Sequence, residues 1–283
     1  MLAVNEKKPS LNAGQLRKKR IQTQAWTRAL IQFLFFWLMP GAFVAGFSGV
    51  KYIFSAIGTG QVIVLNSFVK ALIFLILFTM LFGRYFCGYV CAFGSLGDFV
   101  YKVSQWVQKK VFHRKKALIF PKKLVPYFQK IKYCILAIII ILCTAGIYAS
   151  MSGSSPWDVF SRLTAFKTVP AGYTIGIILF AAILIGMALQ ERFFCQFLCP
   201  MGALFALLPI FPWSMLQRKK ESCIKGCNIC ANQCPVGIKI EPDGIRNGEC
   251  IGCDQCTATC PRLNITHHEQ KFIKSPIVLA VLK

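Results

Sequence analysis

The sequence predicts an α-helical polytopic membrane protein, with four transmembrane helices arranged as a parallel two-helix repeat and a small α+β domain at the C-terminal end. Three observations carry this. Hydrophobic residues make up 55% of the 283 residues, and they gather into four long apolar runs. A phrase with two cysteines four apart, GRYFCGYVCAFGSLGDF from Gly83, returns 108 residues later as ERFFCQFLCPMGALFAL from Glu191. After the fourth run the chain changes character and reads as two cysteine-dense stretches, each ending in Cys-Pro.

Residues 1–28 form a basic N-terminal segment containing Lys7, Lys8, Arg17, Lys18, Lys19, Arg20 and Arg28. The first apolar run follows this polar stretch and has no small-residue cleavage site after it, which predicts a retained helix and not a cleaved signal. The first membrane repeat covers 29–101. Its runs, Ala29–Val50 and Ser67–Phe86, match the ~20 residues that a hydrocarbon core requires. GTGQ at 58–61 follows no strand, so it reads as a glycine turn capping a re-entrant segment at Tyr52–Leu65, without a phosphate role. A basic loop, 102–132, separates the halves. The second membrane repeat covers 133–213, with runs at Tyr133–Ala149 and Ala171–Leu189. Residues 203–213 are too short to span and read as an interfacial helix or as the packed lead-in to the tail. Cys134 and Cys143, which have no counterpart in the first half, read as core residues.

Lys and Arg fall on alternate connections. The N-terminal segment and the 102–132 loop are rich in them, whereas 51–66 and 151–170 hold only Lys51, Arg162 and Lys167. By the positive-inside rule both termini are cytoplasmic. The net charge of +23 therefore belongs to membrane flanks facing lipid, and no nucleic acid is implied. Each half runs from inside to outside and back, so the repeat axis lies along the membrane normal.

Of the fourteen cysteines, those in the tail and at the inner membrane ends are not expected in disulfides, because the cytoplasm keeps thiols reduced, and metal is the usual alternative. His113, His267 and His268 all lie outside the apolar runs, so no histidine pair is available for haem. No nucleotide fingerprint is present. Residues 218–266 contain C-x3-C-x2-C-x3-C-P from Cys223 and C-x2-C-x2-C-x3-C-P from Cys250. The second is the bacterial two-cluster ferredoxin pattern, in which three cysteines hold one cubane and the fourth crosses to the other. One [4Fe–4S] cluster is thus expected on Cys223, Cys227, Cys230 and Cys260, and a second on Cys250, Cys253, Cys256 and Cys234. Structural zinc would not need the third cysteine and the Cys-Pro ending of each half. PVGIKIEPDGIRNGE, between the halves, reads as a short hairpin, and 267–283 is a C-terminal tail.

The repeated pairs, Cys87 with Cys91 and Cys195 with Cys199, would each lie on one helical face, joined by Arg84 and Arg192 at i−3. Brought together by the repeat, they offer four thiols to a third cluster or act as redox thiols, and the arginines would offset its negative charge. Asp98, Asp158 and Glu191 are candidate proton carriers near the membrane, with a solvated-loop role as the alternative.

FCGYVCA, FCQFLCP, four spans and a two-cluster tail together resemble the NapH/MauN-type membrane ferredoxins over about residues 25–265. The family motif is C-x3-C-P; Ala92 replaces proline in the first copy, and an extra residue separates Cys223 from Cys227. The resemblance implies an electron-transfer subunit of the quinol dehydrogenase type in a prokaryotic cytoplasmic membrane. Quinone or quinol would be its substrate and a separate redox protein its partner. The alternative, an iron–sulfur protein that reduces metal for assembly of other centres, would favour Met- or His-rich outer segments, and these offer only Met151.

Overall fold

A computed structural model describes residues 13–111, 125–150, 153, 155–209, 216–218, 223–238 and 248–267. The expectations for residues 1–12, most of the basic loop (112–124), Met151, the centre of the hairpin (239–247) and the tail from 268 lie outside the described residues.

Helix α1 spans Ala13–Leu38 and α2 spans Ala42–Thr59. The expected first run, Ala29–Val50, is therefore cut in two. Pro40 has no amide hydrogen with which to continue α1, so the chain turns at 39–41 and restarts. Helix α2 then takes up Tyr52–Thr59, which was expected to be re-entrant, and stops at Gly60, whose φ of 67° needs no Cβ. Helix α3, Ser67–Phe82, is capped by Asn66, which accepts a 2.9 Å hydrogen bond from the Val69 amide. It packs closely on α2 because a Cβ at Gly49 would lie 2.5 Å from the Phe68 carbonyl oxygen.

A π-helical turn, Phe86–Val90, leads into α4, Ala92–Lys110. The second half begins with α5, Val125–Phe128, and α6, Ile131–Thr144. Next come α7, Pro156–Thr164, and α8, Thr174–Leu189. Short helices α9, Phe193–Phe197, and α10, Pro200–Leu207, complete it. Among the described residues, two stretches, Ala42–Thr59 and Val125–Thr144, are long and apolar enough to cross a bilayer, and Ser67–Phe82 and Thr174–Leu189 are apolar but shorter. Their outward faces expose Phe74, Leu77, Ile138, Ile141, Ile178 and Ile185, the kind of apolar surface that a lipid or protein partner covers. Cys134, expected in the core, is exposed on this outer surface, whereas Cys143 is buried.

A short helix inserts into the core at α7, whereas Tyr52–Thr59 continues α2. Val159 and Phe160 are buried, Trp157 stacks on Phe47 at 5.7 Å, and Phe160 meets Phe93 at 4.5 Å. Phe43, Phe47, Phe93, Phe180 and Phe194 surround this insertion and form the centre of the core. Local hydrophobicity could not reveal the insertion, because α7 is amphipathic and its burial depends on partners from both halves.

The cysteine-dense tail is bracketed by β1, Leu216–Arg218, and β2, Ile265–His267, which pair antiparallel with Leu216 opposite His267 and Arg218 opposite Ile265. Between them, α11, Ile229–Asn232, packs against α12, Gln255–Thr259.

Candidate metal centre

Each repeated cysteine pair straddles a helix break and does not lie on one continuous helical face. Cys87 lies in the π-helical turn and Cys91 is the extended residue that caps α4. Cys195 lies in α9, and Cys199 is the extended residue that caps α10. The breaks are equivalent. The Cys91 amide donates to the Phe86 carbonyl at 2.8 Å and the Cys199 amide to the Phe194 carbonyl at 2.9 Å, an i to i−5 bond in both copies. Pro200 begins α10, where a missing amide hydrogen costs nothing. Ala92 fills the same place in α4, so its departure from the proline motif leaves the turn intact.

The four thiols are buried and share one neighbourhood: Cys199 interacts electrostatically with Cys195, Cys87 and Cys91. We call this group the shelf. The Cys199 sulfur accepts from the Gly202 amide at 3.1 Å. Arg84 and Arg192 border the shelf, 2% and 1% exposed. Each crosses to the opposite half. A Cβ at Gly202 would lie 3.0 Å from the Arg84 guanidinium, and one at Gly94 would overlap that of Arg192. The repeated glycines are thus explained, because each leaves room for the other half's arginine.

Their anchors differ. Arg192 donates to Asp98 at 2.6 Å and to the carbonyls of Cys87 and Gly88, at 2.5 and 2.9 Å. Arg28 and Gln32 of α1 also donate to Asp98, at 2.6 and 2.7 Å. Asp98 is therefore a buried structural carboxylate, contrary to the solvated-loop expectation. Arg84 instead donates to the Gly248 carbonyl at 2.9 Å and faces Glu249 at 3.5 Å. Lys132 also pairs with Glu249, and Tyr133 donates to it at 2.6 Å. Burial works against the charged form of Glu249, but Lys132, Tyr133 and Arg84 together hold its carboxyl below the ordinary range. Asp158 faces Lys51 at 3.8 Å, far from this network in sequence. Glu191 accepts from Gln255 at 3.3 Å, and burial with the nearby Asp98 charge pushes its carboxyl up.

The tail brings together one predicted ligand set. Cys234, Cys250, Cys253 and Cys256 line a single small cavity with Val236, Ile238 and Ile251. Burial pushes the Cys250 thiol up to about 11 and that of Cys253 to about 12. Cys253 and Cys256 are buried and Cys234 and Cys250 half-buried around this apolar volume, and because metal binding draws such thiols into the thiolate form, the donor set fits a cubane. The shelf offers the same number of thiols beside two buried cations. Of the other set, Cys230 is buried on α11, Cys223, Cys227 and Cys260 are half-buried, and Cys260 ends α12. The extra residue before Cys227 is taken up at Gly226, where φ is 75°.

The cavity lies against the shelf. A Cβ at Gly88 would overlap the Ile251 carbonyl, and one at Gly252 would lie 3.2 Å from the Tyr85 ring. Gln24 donates to the Cys253 carbonyl at 2.5 Å, Tyr89 to Asp254 at 3.1 Å, and Gln196 to the Pro235 carbonyl. The sequence reading missed Arg28, Gln32, Lys132 and Glu249. Arg28 and Gln32, one turn apart beside an apolar run, were the visible signal; Glu249 had none.

A family model described as a 4Fe-4S binding domain matches residues 68–116 and 174–214. The two segments are the two halves of the shelf, not the tail. An uncharacterized protein of Methanocaldococcus jannaschii is 27% identical over 252 residues, 89% of this chain and 86% of its own length. Regulatory protein NosR of Pseudomonas aeruginosa is 39% identical over 79 residues, 24% of this chain and 75% of that sequence. The methylamine utilization ferredoxin-type protein MauN of Methylobacillus flagellatus is 28% identical over 90 residues, 30% of this chain and 31% of MauN. No solved structure matches the chain.

Proposed function

The chain belongs to the NapH/MauN-like family of iron–sulfur membrane proteins, and from that premise we propose that it relays electrons between the quinone pool and a separate redox protein. It does so from a multi-pass position in a prokaryotic cytoplasmic membrane, with both termini in the cytoplasm. The observation that carries the reading is the shelf: four buried thiols, one pair from each half, beside two fully buried arginines.

In this reading the shelf holds a third [4Fe–4S] cluster, and the tail holds two on the sets given above. Bound clusters supply one-electron transfer. A quinol that becomes a quinone gives up two electrons, taken singly by the chain, and two protons, released to water; the reverse direction uses the same groups. A place for the ring is supported by a cavity of about 420 Å3 lined by Phe36, Trp37, Leu96, Phe160, Phe180 and Leu184. It is apolar and of a size that suits a small ligand. Phe160 lies 4.5 Å from Phe93, which stacks at 4.1 Å on Phe194, next to Cys195.

The test is an iron count with EPR on full-length protein purified without oxygen. Wild type should carry about twelve irons, and the variant with Cys87, Cys91, Cys195 and Cys199 all changed to serine about eight. Added quinol should reduce clusters in wild type alone. Equal iron in the two proteins would remove the third cluster from the relay.

A further inference from the structure

We infer that Glu249 occupies the place of a carboxylate that the second repeat lacks, and so latches the cysteine loop 250–256 onto the shelf. Under the 108-residue offset Arg84 corresponds to Arg192, and Asp98 corresponds to Ala206. Arg192 has its carboxylate within its own bundle, at 2.6 Å. Arg84 has an alanine at the equivalent place. The Ala206 carbonyl lies directly against Gly248, where any Cβ would overlap it. The next residue, Glu249, supplies the missing charge. The surroundings match as well: Asp98 is held by two residues of α1, the lead-in to the first half. Glu249 is held by Lys132 and Tyr133 of α6, the lead-in to the second.

The consequence is positional. Glu249 directly precedes Cys250, whose loop carries the thiols of the Cys234, Cys250, Cys253 and Cys256 cavity. Arg84 holds the Gly248 carbonyl on one side of this carboxylate, and Ile251 touches Gly88 on the other. The charge network of the bundle is therefore completed only when this loop is seated, and that cavity, of the two tail ligand sets, is the one held beside the shelf. Glu249 acts as a positioning residue. The seat itself stands on contacts alone; its electronic consequence rests on the proposed clusters.

Amide hydrogen exchange on intact, anaerobically purified protein reads the seat without turnover. Glu249→Gln should speed exchange at 248–254 by about tenfold to hundredfold, the factor for losing a charge-assisted hydrogen bond. Iron per chain should stay unchanged, while spin–spin broadening between shelf and loop signals is lost. Ala206→Asp is the second variant. It places a carboxylate beside Arg84, competes with Glu249, and should loosen the same segment with Glu249 intact. Exchange within twofold of wild type in Glu249→Gln overturns the latch. If that variant fails to accumulate, Ala206→Asp decides, and unchanged exchange there overturns the claim that both carboxylates compete for one place. Failure of the relay would show instead as absent quinol reduction with protection intact.

Discussion

At the scale of single residues, the site depends on charges taken out of water in matched groups. Asp98, with Arg28, Arg192 and Gln32 around it, would leave buried cations unpaired if removed, a loss of about 3–5 kcal/mol. The glycines facing the arginines give a sharper comparison. Gly94→Ala would gain about 1 kcal/mol of helix propensity but drive a methyl into an Arg192 guanidinium fixed by three acceptors. The overlap should win, with a net loss of about 1–2 kcal/mol. Gly202→Ala meets Arg84 at 3.0 Å and should be close to neutral. Chemical denaturation in detergent checks both, and equal effects would contradict the crossed packing. The cysteines, arginines and glycines were legible because they recur at one offset. Glu249 was not, because its partners are 117 and 165 residues away.

At the scale of elements, apolar runs located the helices but not their breaks. Pro40 was visible and outweighed by the hydrophobicity around it, so the first long apolar helix is Ala42–Thr59 and not the expected Ala29–Val50. The turns before Cys91 and Cys199 each close with an i to i−5 hydrogen bond, and no composition signals them. Insertion of α7 into the core is tested by two aromatics. Phe160→Ala should cost about 3–5 kcal/mol because it empties a core position. Phe166, 90% exposed at the end of the same segment, should change stability by less than about 0.5 kcal/mol when truncated. Thermal unfolding of the two variants checks this, and similar losses would place the segment elsewhere.

At the scale of the whole molecule, the proposed relay requires the shelf and the tail on one side of the bilayer. Alkaline phosphatase fused after Gly60 should be active and fused after Val111 inactive, as the Lys and Arg asymmetry requires. The opposite pattern would put the tail on the oxidising side and remove the basis for reduced thiols. The repeat and the cysteine sets were legible in the sequence because both are written as fixed spacings. How the tail meets the bundle was not, because that contact uses carbonyls and glycines that any loop could carry.

The crossed anchoring also sets a clock. Arg84 leaves the ribosome 165 residues before Glu249, about 8–33 s earlier at a synthesis rate of ~5–20 residues per second. During that interval the first half holds a cation awaiting both the Gly202 niche and its counter-ion. The shelf is consequently finished last, although its first cysteine is made early. The crossed packing around Cys87, Cys91, Cys195 and Cys199 is thus completed only once the loop from Gly248 has been made and seated against Gly88 and Arg84.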